Sequence, residues 1–259
     1  MKTNQNSKAA SREDEPLQAL SKAGFPEVQS LTEDAKERLN LVVECKDLMM
    51  MYSCAMKEVQ TRFEILNSEY NVRCQRNPIQ TITTRLKGSA SIVEKLSTLN
   101  VPFSAANIKR NIHDVAGVRV ICCYVDDIYE LARAMGNQDG IELVEVKDYI
   151  SNPKPNGYRS LHLILNVSVS FATCVRMVTV EVQIRTIAMD FWASLEHQLK
   201  YKNTLPNERE IVRQLTECAE IIAQTDSKME QIRRQIEANT STTADDVLLD
   251  KLKKMDHPL

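Results

Sequence analysis

The sequence predicts an α+β protein in which a mixed β-sheet is flanked by helices, with long helices near both ends of the chain. Three observations predict this fold class. Apolar residues recur at spacings of three and four over 32–75 and again over 207–238, as in amphipathic helices. Strand-like and helical segments alternate between these two stretches. The last two strand-like segments follow each other after a short link, which favours a mixed sheet over a purely parallel one.

The order of the elements follows from the same patterns. β-Branched and apolar runs predict strands, and runs with a period near 3.6 predict helices. Gly88 ends the first strand, Ser89 is the expected cap of the next helix, and Asp126 or Asp127 is expected to begin a later one. The predicted order is one or two helices over 32–75, a strand over 79–87, helices over 90–99 and 104–112, a strand over 117–124, a helix over 128–135, strands over 141–146, 161–169 and 177–185, a helix that starts after Trp192 and runs through Lys200, and a long helix over 207–238.

Composition limits the class of protein. The chain has 259 residues, of which 43% are hydrophobic, enough for a substantial core. No window has the apolar run of a signal peptide or of a membrane-spanning helix, so we expect a cytoplasmic protein without a membrane partner. The net charge of −2 argues against DNA and other general polyanion partners, so any basic site must be local. Seven cysteines form no CxxC pair, which predicts reduced thiols and no zinc framework.

The strand over 177–185 carries the strongest functional signal. Glu181, Gln183 and Arg185 alternate with apolar residues, so one face of this strand is apolar and the other presents a carboxylate, an amide and a guanidinium. Asp114 precedes another strand, and two carboxylates at one end of a sheet could share a hard cation such as Mg²⁺. The alternative is that Asp114 caps a turn while Glu181 pairs with Arg119 or Arg185.

Basic residues that follow the first strand suggest an anion site. Arg85 and Lys87 lie two apart and therefore share one face of the strand. Ser91 and Lys95 lie at a helix start, where backbone N–H groups favour anions. Phosphate chemistry needs such donors beside carboxylates that hold a divalent cation. A solvated helix start with the same residues is the alternative.

The loop over 151–160, SNPKPNGYRS, combines an aromatic ring with polar groups. Tyr158 can stack on a purine, Asn156 can read the purine edge, and Lys154 and the nearby His162 can meet phosphates. Two prolines and a glycine predict an ordered loop. A connecting loop with an incidental tyrosine is the alternative.

Common motifs of phosphate chemistry are excluded. The pair His113 and Asp114 would suggest an HD-type metal phosphohydrolase, but no other histidine lies in a suitable upstream helix. The sequence also contains no GxxxxGK[ST] phosphate loop and no GxGxxG fingerprint.

Four segments spread over 78–202 form an ordered series: RLKGSASIVEKL, DVAGVRVICCYVDDIYEL, VKDYISNPKPNGYRSLH and VEVQIRTIAMDFWASLEHQLKYK. Together they resemble the synthetase domain of the Rel/Spo alarmone synthetases, in the small single-domain branch. The resemblance implies a nucleotidyltransferase-like fold and a synthetase domain over 32–238, with no hydrolase activity. The remaining segments, 1–31 and 239–259, are expected to be flexible tails.

The resemblance implies a GTP pyrophosphokinase. Such an enzyme transfers pyrophosphate from ATP to the 3′-hydroxyl of GDP or GTP and gives ppGpp or pppGpp plus AMP, with Mg²⁺ as cofactor. Asp114 and Glu181 are implied as Mg²⁺ ligands, and Glu181 also as the base that activates the attacking hydroxyl. The implied ATP-binding residues are Arg85, Lys87, Ser91, Lys95 and Arg119, and the implied GDP- or GTP-binding residues are Lys154, Asn156, Tyr158, His162 and Gln183.

The resemblance also implies a homotetramer, with regulation by an alarmone or by single-stranded RNA left open. Tetrameric members with alarmone feedback often have an aromatic residue just before the RxK strand end, where this chain has the segment over 81–84, TITT. Two other classes of function stay open. One is a template-independent nucleotidyltransferase, which would release pyrophosphate instead of AMP, and the other is a nucleotide- or RNA-binding protein without turnover.

Overall fold

A computed structural model describes residues 32–201 and 208–239. The segments expected to be tails, 1–31 and 239–259, lie outside the described residues apart from Asn239. The helices are α1 (Glu33–Cys74), α2 (Ser89–Thr98), α3 (Ala105–Asn111), α4 (Val125–Gly136), α5 (Ile187–Tyr201) and α6 (Glu208–Asn239), and the strands are β1 (Ile79–Leu86), β2 (Ala116–Cys122), β3 (Ile141–Asp148), β4 (Leu161–Ser170) and β5 (Val175–Thr186). Within the described residues, no helix has both the length and the apolar character that a membrane crossing requires.

The strands form one five-stranded sheet in the order β1-β2-β5-β4-β3. Strands β2 and β5 run parallel, whereas the β1–β2, β4–β5 and β3–β4 pairs are antiparallel. The segment between β2 and β5 contains α4, β3 and β4, and β5 returns to the centre of the sheet beside β2. The predicted mixed sheet with flanking helices is confirmed.

The long first helix supplies much of the core. Thr32 caps it, since its hydroxyl accepts a hydrogen bond from the Ala35 N–H at 3.4 Å. The side chains that α1 buries, among them Val59 and Phe63, recur at spacings of three and four and pack across β1, β2, β4 and β5. The segment is thus one helix of 42 residues rather than two.

Three predicted helix starts are wrong. Helix α4 begins at Val125, with Tyr124 as its cap, so Asp126 and Asp127 lie inside its first turn and do not begin it. The cap of α2 is Gly88, which makes no side-chain hydrogen bond, and Ser89 is already the first helical residue. Helix α5 begins at Ile187, well before the predicted start after Trp192. Its entry is fixed by Thr186, whose hydroxyl accepts a hydrogen bond from the Met189 N–H at 3.0 Å. Strand β5 therefore passes into α5 without the Gly or Pro that usually marks a boundary.

Candidate active site

The pairing of the strands brings the predicted polar residues onto one face of the sheet. Gly117 of β2 lies opposite Arg85 of β1 on one side and Glu181 of β5 on the other, and Arg119 lies opposite Gln183. Directly opposed residues project from the same face. The alternate residues of β2 and β5 are apolar and buried in the core. The polar face predicted for β5 alone is thus shared by the three neighbouring strands β1, β2 and β5.

This polar face forms the floor of a cleft of about 220 Å³. The predicted site residues that line it are Arg85, Lys87, Asp114, Arg119, Glu181 and Gln183. Lys95 does not line the cleft, but it donates a hydrogen bond to Asp114, which does. Ser91 lies in the first turn of α2 and does not line this cleft.

Asp114 lies between two lysines. Lys87 Nζ donates to Asp114 Oδ2 at 2.8 Å, and Lys95 Nζ donates to Asp114 Oδ1 at 2.7 Å. Burial alone would raise the pKa of Asp114, but the hydrogen bonds and charges of Lys87 and Lys95 outweigh it and hold the pKa below its ordinary value. Asp114 is therefore an ionised member of an ion-pair cluster rather than a turn cap.

Glu181 is held by two hydrogen-bonding side chains. Its Oε1 lies 3.3 Å from His162 Nδ1, and its Oε2 accepts a hydrogen bond from Gln183 Nε2 at 3.0 Å. Burial would raise the pKa of Glu181, but the contacts with His162 and Gln183 bring it below its ordinary value. Glu181 is therefore an ionised acceptor at neutral pH.

The alternative partners of Glu181 are engaged elsewhere. Arg119 Nη1 lies 3.5 Å from Asp190 Oδ1, and Arg185 Nη1 donates to the same oxygen at 3.1 Å. Burial and the neighbouring charge of Arg185 lower the pKa of Arg119. The alternative, in which Glu181 pairs with Arg119 or Arg185, is therefore wrong, since the carboxylate of Asp190 contacts both guanidinium groups.

The donor set at the floor of the cleft fits Mg²⁺. Asp114 and Glu181 line the same cleft, and the charge of Asp114 acts on Glu181 so as to raise its pKa. Mg²⁺ commonly takes one or two carboxylates and completes its coordination with water and substrate phosphates. In the part of the chain that the structure describes, no group of three or more His, Cys, Asp or Glu is placed to hold a metal ion by itself. Two hard oxygen donors therefore fit a cation that a nucleotide helps to bind.

The acceptor loop, as we name residues 149–160, forms an aromatic corner beside Glu181. The rings of Tyr149, Tyr158 and His162 contact one another edge to face, with centroids between 5.1 and 6.0 Å apart. Lys154 Nζ lies 4.6 Å from the ring centroid of Tyr149 and 4.9 Å from that of Tyr158. Arg185 Cζ lies 5.2 Å from the Tyr158 centroid. Rings and cations are thus grouped where the sequence predicts a purine site.

The acceptor loop is seated on α6. Gly157 has a left-handed φ of 90°, and a Cβ at this position would come within 2.6 Å of the Ala219 Cβ on α6. Arg159 Nη1 donates to the Ala219 carbonyl at 3.1 Å, and the Thr216 hydroxyl, which is 2.8 Å from the Val212 carbonyl of its own helix, also lies 3.3 Å from the Pro155 carbonyl. The shape of the loop therefore depends on a helix that begins about fifty residues later in the chain.

Helix α5 supports the loop from the other side. Tyr158 packs against a small apolar cluster that includes Trp192 and Ala219. Trp192 Nε1 donates to the Leu215 carbonyl at 2.9 Å and so ties α5 to α6. Asn156 Nδ2 donates to Glu196 Oε1 at 3.0 Å, so here its amide faces α5 rather than open solvent.

Sequence reasoning missed several residues of this site. Tyr149, Asp190 and Ala219 were not predicted, and Arg185 was placed on the polar face of its strand but given no role beyond a possible ion pair. The contacts of Asp190 with Arg119 and of Ala219 with Arg159 join segments far apart in the chain, and no local pattern reports them. Tyr149 had a local signal, because it lies in the same motif segment as Tyr158.

Comparison with known proteins identifies the family. Residues 84–205 match the family described as the region found in RelA / SpoT proteins. The chain is 42% identical over 192 residues to the GTP pyrophosphokinase YwaC of Bacillus subtilis (strain 168), a match that covers 74% of this chain and 91% of that protein. This chain belongs to the RelA/SpoT family.

Solved structures of RelA/SpoT relatives share the fold. Small alarmone synthetase 2 from Bacillus subtilis matches with a TM-score of 0.66 at 42% identity, over 74% of this chain and 99% of that chain. Small alarmone synthetase 1 from the same organism, bound to its product pppGpp, matches with a TM-score of 0.67 at 31% identity, over 74% of this chain and 97% of that chain. The predicted family, fold class and enzyme class, GTP pyrophosphokinase, are therefore confirmed.

Proposed function

We propose that this chain transfers the β,γ-pyrophosphoryl group of ATP to the 3′-hydroxyl of GDP or GTP, giving ppGpp or pppGpp plus AMP. The observation that carries the proposal is the position of two carboxylates, Asp114 and Glu181, in one cleft that has cations on one wall and an aromatic loop beside it. Its relatives named GTP pyrophosphokinases support the same reaction.

The reaction needs a base and a departing nucleotide. Glu181 accepts the proton of the 3′-hydroxyl, and O3′ attacks the β-phosphorus of ATP. The bond between the β-phosphorus and the α,β-bridging oxygen breaks, and AMP leaves with that oxygen. The lowered pKa of Glu181 keeps the carboxylate ionised before the attack. Its position on the central strand β5 holds it between the two nucleotides.

The donor side binds ATP. Arg85, Lys87 and Lys95 provide cations for the phosphates, and Arg119 lies near the adenine. Ser91 completes the group from the first turn of α2, where backbone N–H groups also face anions. When phosphates enter, Lys87 and Lys95 transfer hydrogen bonds from Asp114 to phosphate oxygens, which frees the Asp114 carboxylate.

Asp114 and Glu181 hold the Mg²⁺ of the ATP. When bound, Mg²⁺ neutralises phosphate charge that the lysines leave uncompensated. The freed oxygens of Asp114 and one oxygen of Glu181 are hard donors of the kind Mg²⁺ prefers.

The acceptor side binds the guanine nucleotide. Tyr158 stacks on the guanine, which displaces Lys154 Nζ from its position 4.9 Å from the ring centroid. Lys154 then moves to the acceptor phosphates, and His162 and Asn156 support the nucleotide. Gln183 orients the ribose beside Glu181, to which it already donates a hydrogen bond.

The assembly that we propose is a cytoplasmic homotetramer built from residues 32–238. Helix α5 carries Ile187, Phe191, Leu195 and Leu199 at spacings of four, and each of these side chains is between 44% and 60% exposed. An uncovered apolar stripe of this kind is typical of an interface between copies. Light scattering should give the mass of a tetramer. Regulation by an alarmone or by single-stranded RNA stays a prediction.

The product of the reaction separates this function from its alternatives. The purified chain is incubated with Mg²⁺, γ-labelled ATP and GDP or GTP, and the nucleotides are resolved. Pyrophosphate transfer gives a labelled guanosine tetra- or pentaphosphate and one equivalent of AMP. A nucleotidyltransferase would instead release labelled pyrophosphate. A binding protein would leave the label in ATP and would contradict the proposal.

A further inference from the structure

A closed ring of hydrogen bonds joins Glu181 to Arg185 by two routes. In the first route, Arg185 Nη2 donates to Gln183 Oε1 at 2.7 Å, and Gln183 Nε2 donates to Glu181 Oε2 at 3.0 Å. In the second route, Arg185 Nη2 donates to the Tyr158 hydroxyl at 2.7 Å, and that hydroxyl lies 2.8 Å from His162 Nε2. His162 Nδ1 lies 3.3 Å from Glu181 Oε1 and closes the ring.

In the first route, which passes through the Gln183 amide, only one orientation of the amide matches every donor with an acceptor. A guanidinium has five N–H donors and no acceptor, so Gln183 must turn its oxygen toward Arg185. Its amide nitrogen then faces Glu181, which as a carboxylate only accepts. The opposite amide orientation would set donor against donor at Arg185 and acceptor against acceptor at Glu181.

The tyrosine route runs in the same direction. Because Tyr158 accepts from Arg185, its own proton is available to His162 Nε2. A neutral imidazole that accepts at Nε2 carries its proton on Nδ1, which is the nitrogen that faces Glu181. With His162 neutral and its proton on Nδ1, both routes begin at Arg185 and end at the two oxygens of Glu181.

Arg185 is fixed for this task by its surroundings. Its side chain is 5% exposed, and Asp190 Oδ1 accepts a hydrogen bond from Nη1 at 3.1 Å and balances the charge. Arg185 Nε donates to the Ser160 hydroxyl at 3.4 Å. A planar fork of five donors can serve four partners at once, which the ammonium of a lysine cannot do in this geometry.

We propose that Arg185 is a positioning residue that orients Glu181 through Gln183, Tyr158 and His162 and makes this orientation depend on the seating of the acceptor loop. The inference rests on the proposed role of Glu181 as the base. Because the Tyr158 hydroxyl belongs to the ring while its aromatic face is offered to the guanine, the acceptor nucleotide and the base are aligned by one side chain. Arg185 acts on the rate of transfer and not on nucleotide affinity.

Two substitutions break the ring at different points. Arg185→Lys keeps the charge beside Asp190 but cannot reach both Tyr158 and Gln183. Tyr158→Phe keeps the aromatic face and removes only the hydroxyl. Misplacing a reacting group by about 1 Å can cost on the order of 10²-fold in rate. We expect kcat to fall about 10- to 100-fold in Arg185→Lys and less in Tyr158→Phe, while the KM values for ATP and for GDP change by less than about threefold.

The double variant gives the sharpest readout. If both residues act through one ring, Arg185→Lys combined with Tyr158→Phe should have a kcat within about twofold of Arg185→Lys alone, because residues that act as a unit are not additive. Independent effects would multiply, and that result would overturn the proposal. The control is Arg62→Lys, since the Arg62 guanidinium is also largely buried, with 20% of its side chain exposed, and bonds Glu58, Gln138 and the Asp139 carbonyl away from the cleft. Its kcat should equal that of the unsubstituted chain.

The outcomes separate this inference from the proposed function. An unsubstituted chain that makes no guanosine tetra- or pentaphosphate would overturn both. An active chain whose Arg185→Lys and Tyr158→Phe variants keep full kcat, or lose activity only through the acceptor KM, would overturn the positioning role alone. If thermal melting shows that Arg185→Lys does not fold, Tyr158→Phe decides: a loss of kcat at unchanged acceptor KM supports the ring, and an unchanged kcat contradicts it.

Discussion

The donor side, formed by the cleft, and the acceptor side, formed by the acceptor loop beside it, are built in different ways. On the donor side, Arg85, Lys87 and Lys95 lie within eleven consecutive residues that run from β1 into α2, and Lys87 and Lys95 both bind the nearby carboxylate of Asp114. On the acceptor side, Tyr158 is placed by contacts with β5, α5 and α6, which follow it by as much as sixty residues.

This difference indicates what each side depends on. Under the proposed function, the donor side depends on charge, and Lys87 and Lys95, which bind Asp114 in this structure, bind the phosphates of ATP instead. The acceptor side depends on fit, since a loop with a left-handed glycine is seated on a helix at van der Waals distance. Substitutions that remove a charge should therefore act on ATP, and substitutions that disturb packing should act on the guanine nucleotide.

The largest effect is expected at Glu181, which both sides share. Glu181→Gln keeps the size and one acceptor oxygen but removes the base, and loss of a general base typically costs 10²- to 10⁴-fold in rate. Synthesis of labelled guanosine product should fall by about that factor, while ATP binding, measured by calorimetry, stays detectable. Near-normal turnover in a folded variant would remove Glu181 from the mechanism.

The next effect is expected at the seat of the acceptor loop. Gly157→Ala places a methyl group against Ala219 at a φ of 90°, so the loop must shift or strain. We expect a loss of about 1–3 kcal/mol in the free energy of unfolding and a raised KM for GDP with an unchanged KM for ATP. Gly136→Ala is the matched control, because a Cβ there meets only Leu143 at 3.8 Å. Equal effects of the two substitutions on the GDP KM would show that the seat on α6 is unimportant.

The smallest effect concerns two carboxyl groups, whose pKa values are shifted in opposite directions in the two regions. Lysines lower the pKa of Asp114 on the donor side, whereas burial raises the pKa of Asp226, which accepts a hydrogen bond from Thr186 behind the acceptor loop. A carboxyl whose folded pKa is raised binds more protons in the folded state, so its contribution to stability falls as pH rises through the window above its unfolded pKa of about 3.9. At neutral pH the buried Asp226 carboxylate is ionised, and its full destabilising effect on the folded state is present.

Asp226→Asn removes this cost and keeps an oxygen for the Thr186 hydroxyl. We expect the variant to be more stable than the unsubstituted chain at pH 7, by no more than about 1 kcal/mol, and this advantage to shrink as the pH is lowered toward 4. Urea unfolding at several pH values measures the difference. A constant difference across that range would show that the charge of Asp226 is not its cause.

The same contrast explains what could be predicted from the sequence. The period of two in β5 places Glu181 and Gln183 on one face, and the structure has them there. The donor cations Arg85 and Lys87 followed from the same local rule. Helix limits that depend on a single side chain, such as the Thr186 hydroxyl that begins α5, were missed because the apolar pattern continues across them.

Residues placed by distant contacts could not be predicted. The contact of Arg119 with Asp190 depends on the pairing of β2 with β5, and the approach of Gly157 to Ala219 depends on the docking of α6. No spacing in the sequence reports either contact. The roles assigned to all of the site residues stay predictions. Asn156 bonds Glu196 here, and Ser91 lies outside the lining of the cleft.

The most direct test of this difference between the two sides is to measure the steady-state KM values of two variants for both ATP and GDP. Lys95→Ala removes a cation from the donor side, and Tyr158→Ala removes the stacking ring, which is worth about 1–3 kcal/mol per base. We expect Lys95→Ala to raise the KM for ATP and leave the KM for GDP within about twofold, and Tyr158→Ala to raise the KM for GDP by roughly 5- to 150-fold and leave that for ATP unchanged. Variants that each raise both KM values equally would contradict the separation of the donor side from the acceptor side.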